Sequence, residues 1–168
     1  MTQAVQFDPD DPQGLARAMS ALGMQSSILV GGFQYWDSRR KGRQFPARGD
    51  LDPLIDIPRL VPHIILIDVR HDPLDFRFRL IGSAVRRNLA RDYVGHWFSE
   101  FPNYSASSNI WPRHCAVAES GRPMLQRPTY VGPNKDFIYV ENILLPLSVD
   151  NPGWSMQMMF LEFISKRH

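Results

Sequence analysis

From Phe76 to Leu80 apolar and charged residues alternate strictly, and the run reaches Gly82 before breaking into short helical spacing up to Val94. Side chains alternate across a pleated strand, so Phe76, Phe78 and Leu80 face a core while Arg77 and Arg79 face outward. A strand with one apolar face needs neighbours. The preceding run, His63–Val69, is nearly continuous in β-branched and other apolar residues, as expected of an inner strand covered on both faces. His71, Asp72, Pro73, Leu74 and Asp75 supply turn chemistry between the two runs, which predicts an antiparallel hairpin.

Further strands are predicted over 124–131, 137–147 and 154–164, separated by the turn residues Gly132, Pro133, Asn134 and Lys135 and by Asp150, Asn151, Pro152 and Gly153. In the last of these Trp154, Met156, Met158 and Phe160 share one face and Met159, Leu161 and Phe163 the other, so it is central. Helical spacing is weaker. It predicts a short helix over 13–22 ending at Gly23, and a second from Ser26 or Ser27 to Gly42 with Leu29, Phe33 and Trp36 as its apolar stripe. Gly31 and Gly32 inside that helix cost about 1 kcal/mol each relative to Ala, so it needs packing, either against the domain core or against a second copy of the chain. A linker over 43–53 leads to a short helix from Pro53 to Leu60, and a crossover helix is predicted over 103–120 with Gly121 as its stop. The order is satisfied by an α+β fold: a five-stranded antiparallel sheet with helices on one face and an N-terminal helical extension. Residues 1–12 lack periodicity and are expected to be a mobile arm; 1–25 form an arm and short helix, and 26–168 a single domain.

The chain has 168 residues, 43% of them hydrophobic and 21% charged, which suits one globular domain with a full core. A net charge of +2 is too small to argue for nucleic acid, and no apolar run reaches the ~20 residues of a membrane span. One cysteine, Cys115, excludes an intrachain disulfide and suits a reducing compartment, so a cytoplasmic location is expected.

Tyr35-Trp36, Arg39-Arg40, Phe45-Pro46, Arg48, Asp50, Asp52-Pro53, Pro58, Leu60, Pro62, the run Phe78 to Gly82, the run Arg91 to Gly95, Gly121-Arg122-Pro123 and Leu145-Pro146-Leu147 follow one another in an order and spacing that resembles a known family. It is the PAS-domain family of stand-alone proteins found mostly in alphaproteobacteria, and the resemblance covers residues 30–164. The resemblance implies a five-stranded antiparallel sheet bracketed by helices on one face, often with a cavity between them, in a sensory or interaction module.

No catalytic residues are indicated: none of His63, His71, His96, His114 and His168 stands in a metal-ligand spacing, and no phosphate loop or dinucleotide fingerprint occurs. No metal site is expected. Tyr93, Trp97, Trp111, Cys115, Tyr139, Asn142 and Met158 are the candidates to line a ligand cavity, against the alternative that they simply pack. Arg79, Gly82, Asp92 and Gly95 are read as a structural brace, with the two charged residues ion-paired or hydrogen-bonded. Leu29, Phe33 and Trp36 are the expected homodimer contact. The basic residues Arg39, Arg40, Lys41, Arg43 and Arg48 are read as a helix end and solvated face, with no nucleic-acid or membrane partner. The expected function is a non-enzymatic sensory module that signals through contacts with another protein and responds to a small ligand in its core. The alternative is a sensor of haem or another cofactor, with His114 as the axial ligand; the cofactor itself stays open, and an enzyme of unknown class ranks last.

Overall fold

The computed structural model describes residues 3–165. Residues 166–168 of the expected domain, with His168, and the first two residues of the expected arm lie outside it. In chain order the elements are β1 (Ala4–Gln6), α1 (Gly14–Leu22), α2 (Ser27–Ser38), α3 (Pro53–Asp56), β2 (Ile64–His71), β3 (Leu74–Ile81), α4 (Ser83–Arg86), α5 (Trp111–Ser120), β4 (Met124–Gln126), β5 (Phe137–Leu147) and β6 (Trp154–Ser165). Short 3-10 turns at Arg48–Asp50, Val61–His63 and Phe98–Glu100 link them.

The strands form one antiparallel sheet in the order β1-β4-β5-β6-β2-β3. The β2–β3 hairpin forms as its alternation requires, with Asp68 opposite Arg77 and Val69 opposite Phe76. β6 lies between β5 and β2, in keeping with its two apolar faces. The sheet has six strands, one more than expected, because Ala4–Gln6 pairs with β4 in the register Ala4 to Gln126. The predicted mobile arm is therefore an ordered edge strand, and Phe7 behind it is buried against Phe33, ring centroids 5.5 Å apart.

Helices cover both faces of the sheet, the expected bracket on one and the expected N-terminal helical extension on the other. On one face α1 and α2 pack on Ile64, Leu66, Ile143, Leu145, Met158 and Phe160. Leu29 and Trp36 are 0% exposed there and Phe33 9%, and the Trp36 indole N–H donates to the Pro146 carbonyl at 2.9 Å. This corrects the dimer expectation for Leu29, Phe33 and Trp36: the stripe is consumed by the chain's own sheet, and none of it is left for a second copy. On the other face α5 and the 3-10 turn at Phe98–Glu100 pack on Ile65, Ile67, Phe76, Phe78, Leu144 and Met159.

Four predicted elements are shorter than their sequence suggests: α2 ends at Ser38 rather than Gly42, α3 at Asp56 rather than Leu60, and α5 and β4 also fall short. α5 begins at Trp111 rather than near residue 103, with Pro112 in its first turn, and the stretch before it is a series of tight turns. β4 stops at Gln126 instead of running to Val131. Pro128 has no N–H to give the ladder, yet pairing with β5 resumes beyond it, the Val140 N–H donating to the Pro128 carbonyl at 2.9 Å and the Tyr130 N–H to the Ile138 carbonyl at 2.8 Å, before the chain turns at Gly132 as a rim.

Candidate functional site

On the α5 face, β2, β5, β6, α5 and the rim after β4 line a partly open cavity of about 200 Å³. Its apolar wall includes Ile65, Ile67, Phe78, Phe98, Val140 and Leu161. Two loops border it. The Tyr130 hydroxyl donates to the Asn88 carbonyl at 2.7 Å and accepts the Asn134 N–H at 3.0 Å, tying the rim to the end of α4. A side chain at Gly132 would collide with this latch, since a Cβ there would lie 2.3 Å from the Tyr130 hydroxyl.

Two small networks of polar side chains reach the wall, which also carries Asn88, Asn103, Thr129 and Tyr130. His114, on the buried side of α5, is 2% exposed and wedged between Phe76 and Phe98, the latter edge-on at 4.9 Å. Its Nδ1 meets Gln157 Oε1 at 2.7 Å, and Gln157 Nε2 donates to the His114 carbonyl at 2.9 Å. A carbonyl only accepts, so the amide of Gln157 is oriented and its Oε1 must receive a proton from Nδ1. The imidazole is then neutral with its proton on Nδ1, and Nε2 carries a lone pair with no partner among the described residues. Burial away from water lowers the His114 pKa to about 4, which keeps the ring neutral at physiological pH.

The second network crosses β4 and β5, where Gln126 stands opposite Asn142. Arg113 Nη1 reaches Gln126 Oε1 in a long contact of 3.4 Å, and Gln126 Nε2 donates to Asn142 Oδ1 at 3.0 Å. A guanidinium only donates, so both amides are oriented and the Asn142 NH2 is left as a donor without a partner among the described residues. Tyr104 adds a hydroxyl, and burial raises its pKa so that it stays protonated. No Asp, Glu, Lys or Arg lines the cavity.

Of the residues expected to line it, Tyr93 and Asn142 do. Trp111 and Cys115 pack beside the same core without reaching the cavity. Tyr139 and Met158 are excluded by strand parity. Asn142 and Met159 face α5, so Tyr139 and Met158, at odd offsets from them, turn toward the α2 side. Trp97 lies elsewhere, with the guanidinium groups of Arg70 and Arg77 over its ring at 4.4 and 4.9 Å. His114 was expected only as a haem ligand, and Gln126 and Gln157 were not anticipated at all. A glutamine inside an otherwise apolar strand, as in Met124-Leu125-Gln126 and Met156-Gln157-Met158, was the available signal.

The expected brace divides into separate contacts. Arg79 sits 3.6 Å from Asp68 across the hairpin, whereas Asp92 pairs with Arg86 at 3.1 Å and accepts the Val94 N–H. Gly82 is required by close approach, since a Cβ would lie 2.4 Å from the Pro62 carbonyl oxygen, and Gly95 by its φ of +85°. The basic cluster is largely paired: Arg39 with Asp56, Arg40 with Asp37 and Asp10, Arg43 with Asp50.

The unprotonated Nε2 of His114 is the form that binds iron, and its Nδ1 partner is of the kind that orients metal-bound imidazoles. A cavity of about 200 Å³ is nevertheless far too small for a porphyrin macrocycle, so the packing does not fit haem. No group of three His, Cys, Asp or Glu among the described residues could hold a metal ion. His71 Nε2 meets Ser155 Oγ at 2.7 Å, but no carboxylate orients the imidazole among the described residues, which leaves the pair without the third member of a nucleophilic triad. No described helix is long and apolar enough to cross a membrane.

A family model described as a PAS domain matches residues 24–159. Among solved structures, a chain from work on the structural biochemistry of a fungal LOV-domain photoreceptor aligns at 16% identity and a TM-score of 0.46, covering 88% of this chain and 99% of that one. No curated protein matches.

Proposed function

The chain belongs to the PAS-domain family, and from that premise we propose that it is a non-catalytic sensory module whose signal is a small molecule held between the sheet and α5. The observation that carries this reading is the pair of polar groups without a protein partner among the described residues, Asn142 NH2 and His114 Nε2, on residues that line a largely apolar cavity. Polar groups placed in an apolar pocket without a protein partner are the kind that fix a small ligand's orientation. Native mass spectrometry of the protein purified from its own host tests the idea. A bound mass retained by the wild type and lost from Val140→Trp, which fills the cavity, is the expected result. No bound mass, together with an unchanged melting temperature on exposure to small apolar compounds such as toluene, would remove it.

The output of such a module is contact with another protein or a second copy of itself. Leu54 and Ile55 on α3, 73% and 76% exposed, support placing that contact beside α2 and not on it. Light scattering of the wild type against Leu54→Glu/Ile55→Glu distinguishes a homodimer through α3. Equal masses in the two would remove α3 as a self-contact.

A further inference from the structure

The chemistry of the cavity limits what can occupy it. We propose that the occupant is an uncharged, single-ring compound carrying a hydrogen-bond acceptor beside a donor, as a carboxamide or lactam does; this rests on the reading of the cavity as a ligand site. Size comes first. An engineered cavity of roughly 150 Å³ in another protein holds benzene, so about 200 Å³ accommodates one ring and a small substituent. Shape comes next, because Phe78, Tyr93, Phe98 and Tyr104 present ring faces and edges that pack best on another ring.

Charge is the sharpest restriction. The lining has no ionisable group that is charged at neutral pH: His114 stays neutral down to about pH 4, and the Tyr104 phenol stays protonated. Arg113 is the nearest cation along these networks, but it touches Gln126 Oε1 from behind and is not part of the lining. A carboxylate or ammonium in the cavity would lose its water without gaining a counter-ion. The polar offer is instead neutral, with Asn103, Tyr104 and Thr129 in the lining beside Asn142 and His114. Asn142 NH2 seeks an acceptor and His114 Nε2 seeks a donor, and both are held by oriented amides, Gln126 within the lining and Gln157 outside it. A carbonyl with an adjacent N–H answers both.

Benzamide, benzoate and toluene separate these features at nearly constant size. Each is titrated into the full chain at pH 7.5, read by methyl NMR shifts at Ile65, Val140 and Leu161 and by the thermal midpoint. Benzamide is expected to perturb these methyls and to bind at least tenfold more tightly than benzoate or toluene. Asn142→Leu is expected to abolish the preference for benzamide over toluene while toluene still enters. Asn142→Ser, a smaller change, covers the case in which the leucine variant does not fold. Benzoate binding as tightly as benzamide would overturn the neutral class, and toluene matching benzamide in the wild type would overturn the donor–acceptor requirement; in both cases the cavity reading survives. If none of the three perturbs the cavity methyls, the ligand-site reading fails and the inference fails with it.

Discussion

Glu141 is a carboxylate only 3% exposed, on the α2 side of β5, and its Oε1 accepts the backbone N–H of both Gln25 and Ser26 at 3.2 Å. These groups lead into α2, whose first turn has no side-chain cap of its own. Glu141 takes the place of the expected serine cap from a distant strand, and the charge favours the helix N-terminus. Glu141→Ala is therefore expected to lower stability by about 1–3 kcal/mol, and Glu141→Gln by less because one acceptor remains; urea unfolding measures both. His114 gives a pH dependence. Its pKa falls from 6.5 to about 4 on folding because the charged ring is desolvated. Between those values the unfolded chain takes up a proton that the folded chain refuses, so the contribution is full above pH 6.5 and is lost as pH falls through the window. The loss approaches about 3 kcal/mol near the folded pKa. Unfolding midpoints from pH 7.5 to 5 should decline more steeply in the wild type than in His114→Phe, and parallel slopes would contradict the burial argument.

At the scale of elements, α2 shows how a rule of propensity inverts in context. Its two glycines cost helix stability in isolation, yet a Cβ on Gly32 would lie 2.4 Å from the Phe160 ring, whereas one on Gly31 would meet only the Leu60 side chain at 3.2 Å. Gly32→Ala is expected to destabilise by about 1–3 kcal/mol, because overpacking against a buried ring outweighs the propensity gain; Gly31→Ala is expected to be milder, and melting temperatures of the two separate the effects. Phe33→Glu places a charge in the same core. It should cost several kcal/mol, seen as a large loss of thermal stability and not as a clean conversion between oligomers. The stripe of Leu29, Phe33 and Trp36 was legible as apolar at helical spacing, but periodicity does not say which surface covers a stripe. For the strands the period itself held part of the answer. Asn142 and Tyr139 are three residues apart on β5 and so cannot share a face, and Met158 is one residue from the cavity-lining Met159. Applying that parity shows from the sequence that Tyr139 and Asn142 cannot both line one cavity, whereas excluding Met158 takes the register of β6 against β5.

For the molecule as a whole, the hairpin, the central β6 and the turns at Gly132–Lys135 and Asp150–Gly153 were readable because each is specified by local alternation or turn chemistry. The sixth strand was not. Ala4–Gln6 is three residues long and carries no alternation of its own; it becomes a strand only because β4 offers it an unpaired edge. The cavity depends on that same edge, since Gln126 is paired on one side to Ala4 and on the other to Asn142. Removing β1 exposes the backbone of β4 and loosens the glutamine that orients Asn142. Removing Phe7 as well opens the core at Phe33, where the buried ring contributes roughly 1.5–3 kcal/mol. Deletion of residues 1–7 is therefore expected to lower the melting temperature by several degrees, and to raise amide hydrogen exchange at Leu125 and Gln126 above that of β6. If both stay at wild-type values, the segment is a dispensable arm and β4 holds the cavity wall by its pairing to β5 alone.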